Sequence, residues 1–167
     1  MKKIGIFYGS TSGKTRKVAE LLRDTLGKTK CELHDIRKVK PEEVLKYDNL
    51  IFGTSAWGIG DLQDDWELFI DELVELDLSQ KRIALFGLGD QKTYPGSFAD
   101  ALGTLYCRLP YKENIVGFIP TEGYNYYYSS AERDGKFVGL VIDEDYQPEL
   151  TAGRIKKWVD QIKKEMK

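Results

Sequence analysis

The chain has 167 residues, enough for one ordinary domain with a substantial core. Hydrophobic residues make up 41% and charged residues 31%, and the formal net charge is −2. Near-neutral charge gives no case for nucleic acid, and no apolar run approaches the roughly 20 residues that a membrane span needs. The N-terminal MKKIGIFYGS is too short and interrupted in its apolar run for a signal peptide, so a cytoplasmic protein is expected. Cys31 and Cys107 lie far apart without CxxC spacing and read as two free thiols; His34, the single histidine, reads as structural rather than as a zinc ligand.

Strand and helix signals alternate along the chain. Lys3–Tyr8 is a short apolar run that ends in a Gly-Ser-Thr turn, and Val18, Leu21, Leu22 and Leu26 share one face of a helix over Thr15–Leu26. Cys31–Ile36 is a weaker strand and Asn49–Gly53 a buried-type strand. Trp66, Phe69, Ile70, Leu73 and Val74 then recur at helical spacing, and Arg82–Gly87 is again strand-like. Phe98, Leu102, Leu105 and Leu109 mark a further helix stopped by Pro110. Ile115–Ile119 and Phe137–Ile142 are two strand-like runs separated by the loose stretch Pro120–Lys136. Ile155, Trp158, Val159 and Ile162 define the last helix, with Thr151 as its expected N-cap.

Apolar strands separated by helices predict a single α/β domain over 1–167, a doubly wound parallel sheet with helices on both faces. Ligands of such sheets bind at the carboxyl ends of the strands near the switch point. The loops after Tyr8, Gly53 and Gly87 are therefore the places to look.

Gly9-Ser10-Thr11-Ser12-Gly13-Lys14-Thr15 joins the first strand to the first helix. Backbone N–H groups at a helix N-terminus suit a phosphate dianion, and the hydroxyls of Ser10, Thr11, Ser12 and Thr15 add donors. Gly13 lets the backbone curl close to the ligand. A P-loop NTPase would need four residues between its first Gly and the Gly-Lys pair, where Gly9 and Gly13 enclose only three, and no strand is read as ending in a Walker B aspartate. The GxGxxG fingerprint is absent too, so the loop alone says phosphate and no more.

The second loop is Thr54-Ser55-Ala56-Trp57-Gly58-Ile59-Gly60, and the third is Leu88-Gly89-Asp90-Gln91-Lys92-Thr93-Tyr94-Pro95. Trp57 is cut off from the apolar face of the next helix by glycines, and Tyr94 reaches the same edge of the sheet. Two aromatics on adjacent loops suit a planar ring, and with the phosphate loop they point to a mononucleotide with a flat head.

These three loops in this order resemble those of a flavodoxin. Gly135–Leu140 with Asp143-Glu144-Asp145 is similar to the long-chain branch of that family, and the likeness spans essentially the whole chain. It implies a five-stranded sheet ordered 2-1-3-4-5 with a loop interrupting the last strand. It implies noncovalent FMN, with the phosphate on Ser10, Thr11, Ser12, Gly13, Lys14 and Thr15 and the ring between Trp57 and Tyr94. Thr54, Ser55, Ala56, Gly58, Ile59, Gly60 and Leu88 complete the flavin loops, Gly89, Asp90 and Gln91 meet the pyrimidine edge, and Asp145 stands near the ribityl chain.

The function implied is a low-potential one-electron carrier rather than an enzyme. It would serve as a monomer between a flavodoxin/ferredoxin-NADP reductase and electron-accepting enzymes. A Gly58 carbonyl turned toward flavin N5 would stabilise the neutral semiquinone.

The acidic stretch Asp61–Asp77 holds eight acids and no Lys or Arg, while the last helix carries Lys156, Lys157, Lys163, Lys164 and Lys167. The acids would lower the potential of the anionic reduced flavin and steer basic partners. Against the family pattern, this chain is nearly neutral overall, and Gly96-Ser97-Phe98-Ala99 lacks the acidic or amide residues often found after the stacking Tyr. The aromatic insertion Tyr124-Asn125-Tyr126-Tyr127-Tyr128 reads first as packing on the sheet edge and second as a docking surface. Two rivals fit less well. An FMN-dependent NAD(P)H:quinone reductase would need an open pocket over the ring, and a response regulator would need an acceptor Asp where the third strand ends Phe52-Gly53-Thr54.

Overall fold

Alternate side chains of each inner strand enter opposite cores, which is how one sheet comes to carry helices on both faces. In the computed structural model, which describes residues 1–55 and 61–167, β1 (Ile4–Tyr8), β3 (Asn49–Thr54) and β4 (Arg82–Leu88) are buried along almost their whole length. Ile4, Ile6, Tyr8, Ile51, Ala84 and Phe86 point to α1 (Lys14–Leu26) and α4 (Thr151–Glu165), where they meet Val18, Leu22, Ile155, Trp158 and Ile162. Phe7, Leu50, Phe52, Ile83 and Leu85 point the other way. They meet Trp66, Phe69 and Ile70 of α2 (Asp64–Leu73) and Leu102 and Leu105 of α3 (Asp100–Arg108). This is the period-2 alternation of a strand expressed as three layers.

The main sheet is parallel, in the order β2-β1-β3-β4-β5, with β2 (Cys31–Asp35) at one edge. The other edge is shared. β5 (Ile115–Val116) pairs with Ile83 and Ala84 of β4, and β9 (Leu140–Ile142) pairs with Phe86, Gly87 and Leu88 farther along the same strand. The fifth position is thus one strand made of two pieces, as the resemblance implies. Both pieces are shorter than the apolar runs suggest. Gly117 leaves the sheet at φ 84°, and its carbonyl takes the indole N–H of Trp158 at 2.8 Å. The excursion between the pieces folds into a small antiparallel sheet of β6 (Ile119–Pro120), β8 (Lys136–Phe137) and β7 (Glu132–Arg133).

Two helix starts differ from expectation. α3 begins at Asp100 because Ala99 is left-handed (φ 54°) and Phe98 is buried beneath Tyr124 and Tyr126. Thr151 is the first residue of α4, after a 3-10 turn at Pro148–Leu150, and is not its N-cap; its hydroxyl donates to Glu144. The aromatic insertion packs only in part. Tyr124 and Tyr126 pack on Phe98 and Phe137, whereas Tyr127 and Tyr128 are exposed.

His34 is structural. Its ring stacks on Phe7 at 4.6 Å and its Nε2 lies 2.6 Å from the Tyr47 hydroxyl, which in turn donates to Glu32. Burial pulls its pKa below the ordinary 6.5, against the opposing pull of Glu43 and Glu32. The unfolded chain therefore binds more protons than the native one. This contribution to stability is fully present above about pH 6.5 and is lost as pH falls below it. His34→Gln should reduce the difference in urea midpoint between about pH 7.5 and about pH 5.5, and an undiminished difference would contradict this assignment. Cys31 is buried, which pushes its thiol up to about 11, and Cys107 is exposed on α3.

Candidate functional site

The first loop leaves β1 at the carboxyl end of the sheet and turns into α1 without a conventional cap. Gly13 takes the cap position at φ 88°, a conformation that disfavours any side chain, and its N–H donates to Ser10 Oγ at 3.0 Å. α1 has no acidic residue in its first turn, in contrast to α2 with Asp64, Asp65 and Glu67. Its positive end faces the loop uncompensated by any side chain of its own first turn.

Thr15 is 1% exposed, and its Oγ1 has no hydrogen-bond partner among the described residues. A buried, unsatisfied hydroxyl costs on the order of 1–3 kcal/mol. An anion seated on the helix terminus would satisfy it, so the residues present fit a phosphate.

Beside this loop lies a cleft of about 230 Å³ among the described residues. Its walls are Thr11, Ser12, Lys14, Ser55, Leu88, Gly89, Asp90, Tyr94 and Asp145. Residues predicted from three separate loops thus meet in one place. Thr54 is buried just behind, at the end of β3. Ala56, Trp57, Gly58, Ile59 and Gly60 lie outside the described residues. Lys14 and Asp145 pair across the cleft at 2.5 Å, and that hydrogen bond raises the lysine pKa. Burial would raise Asp90, but N–H donors from Thr93 and Lys92 and the nearby Lys14 outweigh it and hold the carboxyl below its ordinary range. Asp90 also ties the loop together, because its carbonyl accepts from Tyr94 N–H at 2.9 Å. A larger cleft of about 360 Å³, between α4 and the 119–124 segment, shares no lining residue with this one.

Comparison with known proteins agrees with this geometry. A family model described as flavodoxin matches residues 6–158. A flavodoxin from a Nostoc species is 46% identical over 98% of this chain and 97% of its own. Flavodoxin 1 of Escherichia coli is 46% identical over 97% of this chain and 93% of its own. Among solved structures, a Fusobacterium nucleatum flavodoxin bound to flavin mononucleotide superposes with a TM-score of 0.92, 34% identity and full coverage of both chains. The chain belongs to the flavodoxin family.

Within this flavodoxin-family site, the side chain of Gln91 takes another direction from that of Asp90. The Gln91 side chain does not line the cleft. It is 2% exposed, donates to Asp143 Oδ2 at 2.7 Å and to Gln147 Oε1 at 2.8 Å, and accepts from Asn125 N–H at 2.7 Å. With its amide so engaged, it acts as a strut between loops.

Asp143, fully buried, is the residue sequence reasoning missed. It accepts from the N–H of Gln91 at 3.0 Å and of Tyr146 at 2.8 Å, joining the Asp90–Tyr94 loop to the Asp145 loop. It directly follows β9, at the carboxyl end of the sheet. Its oxygens take N–H donors, and among the described residues no cluster of metal-ligating side chains occurs. The sequence signal was an acid placed immediately after an apolar run.

The acidic stretch is partly neutralised. Arg108 of α3 reaches Asp71 at 2.6 Å and Glu67 at 3.4 Å, and Arg37 lies 3.8 Å from Asp65.

Proposed function

We propose that this chain is a low-potential one-electron carrier that holds FMN noncovalently and passes electrons between redox proteins. The observation that carries the reading is the buried Thr15 hydroxyl at the N-terminus of α1, which has no partner among the described residues, in a loop of the family's type. Ser10, Thr11, Ser12, Gly13, Lys14 and Thr15 would hold the phosphate. Thr54, Ser55, Leu88, Gly89, Asp90 and the backbone of Gln91 would border the ring, Tyr94 would stack on it with Trp57, and Asp145 would stand by the ribityl chain. The cofactor, when bound, supplies the one-electron chemistry.

What the chain does is orient the ring, exclude water and set the local field. The carboxylate of Asp90 at the cleft disfavours added negative charge there, which lowers the potential, while that of Asp145 is paired with Lys14. Tyr94 is 51% exposed, so one edge of the site stays open to a partner protein. Partners would be a reductase of the flavodoxin/ferredoxin-NADP type and electron-accepting enzymes, met by a monomer in the cytoplasm. Among the described residues, no helix is long and apolar enough to cross a membrane.

Stepwise anaerobic reduction tests the carrier reading. The expected course passes through a blue neutral semiquinone before full reduction. Direct two-electron reduction without that species, coupled to NAD(P)H oxidation by quinones, would favour the reductase instead. Tyr94→Ala should weaken FMN binding by about tenfold, since a ring contact contributes on the order of 1 kcal/mol beyond burial. Unchanged affinity would remove Tyr94 from the site. The Arg108 pairing leaves less free acidic charge than the sequence suggests, so rising salt should slow electron transfer to a basic partner only about severalfold.

A further inference from the structure

Gln63 stands between the first loop and α2, and its side chain is placed in a way that packing alone does not require. It is 3% exposed. Its Nε2 lies 2.6 Å from Asp65 Oδ2 and 3.4 Å from Thr11 Oγ1, while its Oε1 is buried with no partner among the described residues. That oxygen presses on the loop itself: a Cβ at Gly9 would come within 2.4 Å of it.

A carboxylate only accepts, so Asp65 fixes which side of the amide carries the nitrogen. Turning the amide over would set two acceptors against each other. Asp65 is itself approached by Arg37 at 3.8 Å, and Arg37 is held by Asp35 at 2.8 Å. A leucine or methionine would occupy the same space and leave no orphaned oxygen.

We propose that Gln63 is a positioning residue of the phosphate loop, acting through Thr11. Its amide N–H approaches the Thr11 oxygen from the protein side. A hydroxyl has one proton, and with a donor behind it that proton turns away from Gln63 and into the cleft that Thr11 lines. A phosphate dianion offers acceptors only, so a hydroxyl fixed as a donor is what it needs. The chain Arg37, Asp65, Gln63, Thr11 therefore orients a donor toward the anion from the far side of the loop. This inference rests on the FMN reading, and on its phosphate end alone.

The test compares FMN with riboflavin, which lacks the phosphate. Apoprotein carrying Gln63→Leu, Thr11→Val or both is titrated with each flavin by fluorescence quenching. Gln63→Leu should weaken FMN binding about fivefold to tenfold and change riboflavin binding by less than about twofold. On the Thr11→Val background it should have almost no further effect. Asp65→Asn frees the amide to turn without opening a cavity, so it should weaken FMN selectively even if Gln63→Leu folds poorly. Equal losses for both flavins, unchanged FMN affinity in the folded variants, or independent effects of Gln63 and Thr11 would overturn the proposal. If the unmodified apoprotein takes up no FMN, the functional reading itself falls. If it takes up FMN but the variants behave alike, only the role of Gln63 falls.

Discussion

Replacing Thr15 by valine is expected to make the apoprotein more stable and its hold on FMN weaker. The two side chains have nearly the same shape, so packing against the α1 face is kept. The change removes a hydroxyl that is buried without a partner among the described residues, and relieving it should stabilise the fold by about 1 kcal/mol. In the complex the same hydroxyl would donate to a charged phosphate oxygen, a bond of about 1.5–3 kcal/mol, so FMN affinity should fall by roughly ten- to a hundredfold. Thr15→Ser keeps the donor and should restore most of the binding. Urea unfolding of the apoprotein and a flavin titration read the opposite signs separately. Wild-type affinity in the valine variant would show that the hydroxyl does not face the phosphate.

Asp143→Ala should be the most damaging single change near the site. Three N–H donors lose this acceptor, those of the Gln91 backbone and amide in a buried place and that of the Tyr146 backbone in a part-buried one, although the Gln91 amide keeps Gln147. Counting about 1–3 kcal/mol for each stranded donor, and allowing for water entering the gap, a loss of about 3–5 kcal/mol of stability is expected. The loops bearing Tyr94 and Asp145 would loosen together, so FMN affinity should fall as well. Asp143→Asn keeps one acceptor oxygen and should lose about half as much. The check is a urea midpoint with unchanged m-value. A shift equivalent to less than about 1 kcal/mol would mean that the loops are held by something other than this carboxylate.

The layers were legible because the information is local and periodic, whereas the strand order came only with the family resemblance. Ile4, Ile6 and Phe7 alternate along one short run, and Val18 and Leu22 recur along a helix; either pattern survives without knowledge of its neighbours. The loops were legible as carriers of a site because glycines and hydroxyls at strand ends have few packing reasons to be there. The direction of a buried polar side chain was not legible. Gln91 and Asp90 are adjacent in sequence, yet one faces inward to Asp143 and the other lines the cleft, and only the long-range partner decides which. The role of Gln63 was hidden for the same reason, since Thr11 lies far away in the chain. The start of α3 depended on Tyr124 and Tyr126 covering Phe98, a contact that no helical spacing announces.

The central claim is that this loop cluster is built around FMN and its phosphate. Titration of the apoprotein with FMN, followed by flavin fluorescence and absorbance, tests it most directly. The account predicts one-to-one uptake with strong quenching, and binding much tighter for FMN than for riboflavin. An apoprotein that stays colourless in excess FMN, or that binds both flavins equally, would contradict it.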